Sequence, residues 1–248
     1  MNAGSAEHQI GNKRQYVEEK NAKLGLGAPG DTNTPKGWYS RGYLPHYDSA
    51  QKIQSITFRL ADSLPQEKLR QLEDELEHLP ESEREMERRK KIEQWLDAGM
   101  GCCALGHPEL AAVMQDTLRK WDGERYSLIA WCVMPNHVHV LIEAAAPLAK
   151  IVQSWKSYTG RWALAQNAEL GLGVPGKHFW MREYWDRYIR NGKHFEQVVR
   201  YIHDNPVKAG LCSEPKDWRW SSAWMGIAGN AEPRLGNKES AKMSGCDT

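Results

Sequence analysis

The sequence predicts an α+β fold, an antiparallel sheet of ferredoxin-like or RRM-like type with helices packed on one face and extra helices inserted after the first strand. Three observations lead there. Two strong strand signals, 126–134 and 137–143, are separated only by Pro135 and Asn136. A third strand signal, 54–61, stands far upstream. Stretches of helical periodicity fill the intervals between the strands.

The elements follow in order. Residues 1–37 are polar and Gly-rich and read as a disordered tail. The segment "WYSRGYLPHY" (38–47) sets aromatics among Arg and His, a composition that could stack on bases or pack on the domain. In "QSITFRLA" (54–61) Ile56, Phe58 and Leu60 alternate onto one side, a strand signature. The stretch 64–96, rich in Glu, Arg, Leu and Lys, reads as two helices broken at Pro80, their charges forming a solvated face. A further helix is expected over 108–121.

"YSLIAWCVM" (126–134) is apolar on both faces and should be central, and "HVHVLIE" (137–143) alternates; the short Pro135–Asn136 connection predicts a β-hairpin. An amphipathic helix is expected over 148–167, a strand or edge segment in "HFWMREYW" from His178, and a short helix over 193–204 that Pro206 should stop. The domain is thus bounded at 38–225, with a helical insertion at about 64–121 and a loose tail over 226–248.

Composition excludes several classes. The 248 residues can bury one sizeable core, and their net charge of +1 makes the chain no polycation. No apolar run approaches the ~20 residues that span a bilayer. The first residues lack the apolar centre of a signal peptide, so a cytoplasmic location is expected. The five cysteines, odd in number and without a Cys-x-x-Cys spacing, read as free thiols. Charge is unevenly spread: 7 Lys/Arg stand against 11 Asp/Glu over 63–97, and 12 against 8 over 126–225. The second half is the better candidate to meet phosphates.

The chemistry begins with His137 and His139. On a strand, residues i and i+2 share a face, about 7 Å apart at the base, so both rings can converge on one cation while Val138 faces the core. Imidazole with oxygen ligands suits Mg²⁺, Mn²⁺ or Zn²⁺. The same pair could equally line a polar sheet face and bind nothing. Tyr201 flanks the apolar stripe of its helix and could reach the sheet face, and Asn205, four residues on, shares its side. The bland alternatives are an amphipathic core tyrosine and a helix-capping asparagine; Tyr158, Tyr184 and Tyr188 are rival nucleophiles by chemistry.

Several segments in order, "RGYLPHYD", "LDAGMGCCAL", "AWCVMPNHVHVLIE", "IVQSWKSYT", "FWMREYWDRYIRN", "YIHDNPVKAGL" and "WRWSSA", resemble the REP-associated tyrosine transposases, relatives of the IS200/IS605 single-tyrosine transposases. The resemblance covers roughly 38–223. It implies a divalent metal, Mg²⁺ or Mn²⁺, on His137 and His139, with Tyr201 as the nucleophile. In the related IS200 group an amide four residues after the tyrosine completes the metal site, which implies Asn205, here in place of glutamine. The implied reaction cuts and rejoins single-stranded DNA or hairpins of repetitive palindromic elements through a 5′-phosphotyrosine. A monomer is favoured, although the IS200 cousins are dimers that share active sites. Candidates for DNA contact are Arg41, Tyr43, Trp155, Lys156, Arg187 and Arg190. Two other readings are a hairpin-binding RRM-like protein that does not cut and a replication-initiator or relaxase-type nickase.

Overall fold

The computed structural model describes residues 37–40, 45–48 and 52–224; both tails, Arg41 and Tyr43 lie outside the described residues. Strands β1 (Gly37–Ser40) and β2 (Pro45–Asp48) pair as an antiparallel ribbon. The main sheet has four strands: β3 (Ile53–Arg59), β4 (Tyr126–Val133), β5 (His137–Ala144) and β6 (Trp185–Tyr188). Their spatial order is β4-β5-β3-β6, and every pairing is antiparallel. Numbered within this sheet alone, that order is 2-3-1-4, the ferredoxin-like arrangement expected.

Alternation along β3 and β5 sorts side chains onto two faces. Ile56, Phe58, Val138, Val140 and Ile142 point to the face covered by helices α3 (Pro108–Arg119) and α4 (Leu148–Leu170). There they meet Leu110, Met114, Leu118, Val152 and Trp155 in the main core. Helix α3, which the sequence reading counts within the insertion at about 64–121, thus joins α4 in the layer on this face. On the opposite face a smaller core forms, in which Ala130, Cys132 and Leu141 of the sheet pack on Phe195 and Ile202 of helix α5 (Gly192–Lys208). The sheet is therefore covered on both faces, and the second face holds the histidines.

The two helices expected on either side of Pro80 form, with Pro80 as the residue preceding α2 (Glu81–Asp97) after α1 (Gln66–Leu76). Their apolar residues Leu72, Leu76, Ile92 and Leu96 make their own core against Leu64, with Trp185 of β6 packed on it.

Two boundaries differ from expectation. The last strand begins at Trp185, not His178; Trp180 makes only an isolated bridge to Leu60, because its ring turns into the core and stacks edge-on to Phe58 at 4.9 Å. Helix α5 continues past Pro206 to Lys208. A proline so near a helix end deprives the helix of little, and the Ala209 and Leu211 amides still donate to Asn205 and Pro206 carbonyls.

Candidate active site

The site lies on the face shared by Thr57, His137, His139 and Arg187, between α5 and the C-terminal end of α2. Register aligns Thr57 with His139 across β3 and β5, and with Trp185 across β3 and β6. The hairpin tip that carries the histidines is pinned by three backbone bonds: Met134 N–H to His137 O, Leu60 N–H to Asn136 O and Leu105 N–H to Pro135 O.

Both rings are buried, His137 at 1 % and His139 at 2 % exposure. Their Nε2 atoms approach to 2.9 Å, with ring centroids 4.6 Å apart and planes at 88°. Each Nδ1 is held from behind, His137 by Asn136 Oδ1 at 2.7 Å and His139 by Thr57 Oγ1 at 2.9 Å. This is the pattern by which metal-binding imidazoles are aimed, one nitrogen anchored and the other presented. Burial pushes His137 down to about 3. Burial, followed by the influence of His137, Arg89 and Lys208, holds His139 well below its ordinary value. Both rings are therefore neutral at pH 7, the form a cation requires.

Tyr201 enters from α5. Its ring meets that of His139 edge to face at 5.3 Å, and the Lys208 ammonium lies 4.8 Å from its centroid. Burial raises the Tyr201 phenol well above its ordinary range; Glu93 and Asp97 raise it further, while Arg89 and Asn205 act in the opposite sense.

Asn205 is fully buried and is not the helix cap that the sequence also allowed. Its Nδ2 donates back to the Tyr201 carbonyl at 2.6 Å, and its Oδ1 has no hydrogen-bond partner. An orphaned buried acceptor costs about 1–3 kcal/mol, and a ligand for that oxygen would offset it. Among the described residues no group of three His, Cys, Asp or Glu side chains could hold a metal. A cation on the imidazole pair would thus complete its shell with amide, water or phosphate oxygens. The donor set present fits a divalent ion.

The rival tyrosines do not reach this face. Tyr184 is buried in the main core behind the sheet, Tyr188 pairs with Gln54 in the opposite alternation, and Tyr158 is exposed on α4.

Among the candidate DNA contacts, Arg187 lies on the site face of edge strand β6, exposed. Burial, then Arg89 and Arg190, lowers its guanidinium from the ordinary arginine range, and the influence of the two arginines marks a local cluster of cations. Trp155 is a correction. It is 0 % exposed, its Nε1 donates to Tyr126 Oη at 2.9 Å and its ring meets that of Tyr126 edge-on, so it cannot stack on a base. Lys156 lies apart from the histidines. Its Nζ donates to the Met181 and Arg182 carbonyls at 2.6 and 2.8 Å, on the far side of the sheet from the histidines.

Three participants escaped the sequence reading. The charged face of α2 is not wholly solvated: Arg89, Glu93 and Asp97 are half-buried and influence Tyr201, with Arg89 bound to Glu93 at 2.9 Å. Burial, then Glu93, raises Asp97 to about 6, while Lys208 opposes. Their i, i+4, i+8 spacing puts them in one row along the helix, and that row was the available signal.

Residues 106–205, the stretch that carries the two imidazoles and the tyrosine facing them, match the family model described as Transposase IS200 like; the matched stretch contains His137, His139, Tyr201 and Asn205 and excludes the α1–α2 insertion. The likeness is to REP-associated tyrosine transposases. The chain is 28% identical over 109 residues to the REP-associated tyrosine transposase of Escherichia coli K12, covering 44% of this chain and 61% of that protein. A Haemophilus influenzae protein of the same family description is 25% identical over 134 residues, covering 48% of this chain and 72% of its own length. A solved structure of a REP-associated tyrosine transposase bound to a REP hairpin is similar at 17% identity and a TM-score of 0.41, over 82% of this chain and 98% of that one. The resemblance read from the motifs is borne out: the relatives are tyrosine transposases. No helix among the described residues is long and apolar enough to cross a membrane.

Proposed function

We propose that this chain is a metal-dependent enzyme that nicks and rejoins single-stranded DNA at palindromic hairpins, with the catalytic domain spanning 38–225 and Tyr201 as its nucleophile. The observation that carries the reading is the contact of the Tyr201 ring with His139 on a face where both histidines present Nε2 to one point. His137, His139 and Asn205 would hold the ion, Mg²⁺ or Mn²⁺. When bound, it would withdraw charge from the scissile phosphate and stabilise the added charge of the transition state.

The chain's own groups account for the rest. Tyr201 Oη forms a bond to phosphorus as the bond to the strand's 3′-oxygen breaks. The products are a 5′-phosphotyrosine and a 3′-hydroxyl that takes up a proton. The phenolic proton must leave, and the buried phenol holds it tightly. Rejoining reverses the step, with the bond energy kept in the phosphotyrosine. Arg187 and Arg190, close enough for one to influence the other, would take neighbouring phosphates at the β6 edge, where strand backbones need cations. A REP hairpin as substrate rests on the family description of the relatives. Because the histidines and tyrosine meet within one chain, the geometry supports a monomer as the working unit. It also favours the cutting enzyme over a hairpin-binding protein, which would have no use for a tyrosine against two neutral imidazoles.

The test incubates the purified chain with a hairpin carrying single-stranded flanks, with Mg²⁺ or Mn²⁺. Wild type should release a free 3′-end and carry a covalent DNA adduct. Tyr201→Phe should bind the hairpin and form no adduct. An adduct on Tyr201→Phe would refute the nucleophile, and no cleavage with any divalent metal would refute the enzyme.

A further inference from the structure

We propose that Asn136 is a positioning residue through which the helical insertion fixes the tautomer and aim of His137; this rests on the reading of His137 as a metal ligand. The α1–α2 insertion lies outside the stretch that matches the family model, yet its C-terminal end touches the histidine hairpin. Asn136 Nδ2 donates to the Leu96 carbonyl at 3.1 Å and to the Met100 carbonyl at 3.0 Å.

Those two bonds decide which way the amide faces. Carbonyl oxygens only accept, so the NH₂ group must point at them and the amide oxygen must point away. That oxygen lies 2.7 Å from His137 Nδ1. An amide oxygen cannot donate, so Nδ1 carries the proton. A neutral imidazole has one N–H, which leaves the lone pair on Nε2, the atom 2.9 Å from His139 Nε2. Asn136 is 1 % exposed, so water does not compete for either set of bonds.

The second imidazole is held differently. Thr57 Oγ1 can donate to His139 Nδ1 or accept from it, because a hydroxyl does both. With His137 Nε2 unprotonated, the Nε2 pair can share a hydrogen bond only if His139 donates it. His137 is thus preset by Asn136, and His139 is the ring that adapts through Thr57. Leu96 and Met100 supply backbone carbonyls, so the requirement on α2 is one of placement. Asp97, beside Leu96, reaches the surroundings of Tyr201 from the same helix end. One helix terminus therefore bears on both the metal ligand and the nucleophile.

The experiment has two arms on the full chain. Long-range ¹H–¹⁵N spectra of the metal-free wild type read the His137 tautomer directly. Protonation on Nδ1 is expected, and protonation on Nε2 would overturn the proposal without any variant. Calorimetric titration with Mn²⁺ alone then compares wild type with Asn136→Ala and Asn136→Asp. Loss of such an orienting partner should weaken Mn²⁺ binding by about 10–100-fold in Asn136→Ala. Asn136→Asp keeps an acceptor for Nδ1–H but loses the donors to Leu96 and Met100, so it should keep the Nδ1–H tautomer, bind Mn²⁺ more weakly than wild type and more tightly than Asn136→Ala, and melt earlier. Undiminished Mn²⁺ affinity in Asn136→Ala, or equal loss in both variants, would overturn the positioning role. A wild type that binds no Mn²⁺ would instead overturn the metal reading, while the spectra would still decide the tautomer.

Discussion

His139 and Tyr201, 62 positions apart in sequence, meet edge to face at 5.3 Å within a single chain. A β-strand fixes one and an α-helix packed on that strand fixes the other, through Leu141, Phe195 and Ile202.

The first prediction concerns subunit economy. If each chain carries a whole site, His139→Ala mixed with Tyr201→Phe should not recover cleavage. Recovery of cleavage in the mixture would indicate sites built from two chains. Light scattering on the same samples reads the oligomeric state.

The buried imidazoles predict acid sensitivity. Burial lowers both, His137 to about 3, so between that value and the unfolded ~6.5 the unfolded chain binds more protons than the native one. Stability is therefore present above about 6.5 and declines as pH falls below it. Thermal melts from pH 7.5 to 5 should show the decline, and the His137→Ala/His139→Ala double variant should flatten it.

Asp97 acts with the opposite sign. Its carboxyl is raised from 3.8 to about 6, so the native state holds a proton that the unfolded state has released, and stability is lost as pH rises through that window. Asp97→Asn should raise stability at pH 7.5 by on the order of 1 kcal/mol, allowing for solvent screening of a half-buried group. The gain should vanish near pH 4, and chemical denaturation at both pH values checks it.

The proposed ligand role of Asn205 can be tested apart from that of the histidines. Asn205→Ala removes the orphaned oxygen and should weaken Mn²⁺ binding by about tenfold or more, whereas Asn205→Asp should restore it. Titration calorimetry distinguishes the two. Equal affinities for all three proteins would remove Asn205 from the metal site.

Trp155→Ala should behave as a core truncation, costing about 3–5 kcal/mol in urea unfolding. Hairpin affinity measured well below the melting temperature should be unchanged.

The strand–helix order, the hairpin and the face shared by His137 and His139 were legible because alternation and helical spacing are local properties. The partnership of Tyr201 with the pair came from the resemblance in ordered motifs. What was not legible depends on neighbours distant in sequence. Trp155 and Lys156 looked like DNA contacts by residue type, yet Trp155 faces Tyr126 and Lys156 faces the 181–182 carbonyls. Arg89, Glu93 and Asp97 looked solvated because nothing local says that the end of α2 will dock on a hairpin tip 40 residues downstream. Asn136 reads in sequence as a turn residue, and its second task emerges only when α2 arrives.

The Asn205 side chain holds the carbonyl of the very residue that would become joined to DNA. A strand end on Tyr201 would thus be tethered to a regular helix braced against the sheet, not to a pliable loop. During the interval between cutting and joining, the captured 5′-end would keep a fixed address, and the search for a partner would fall to the free 3′-end.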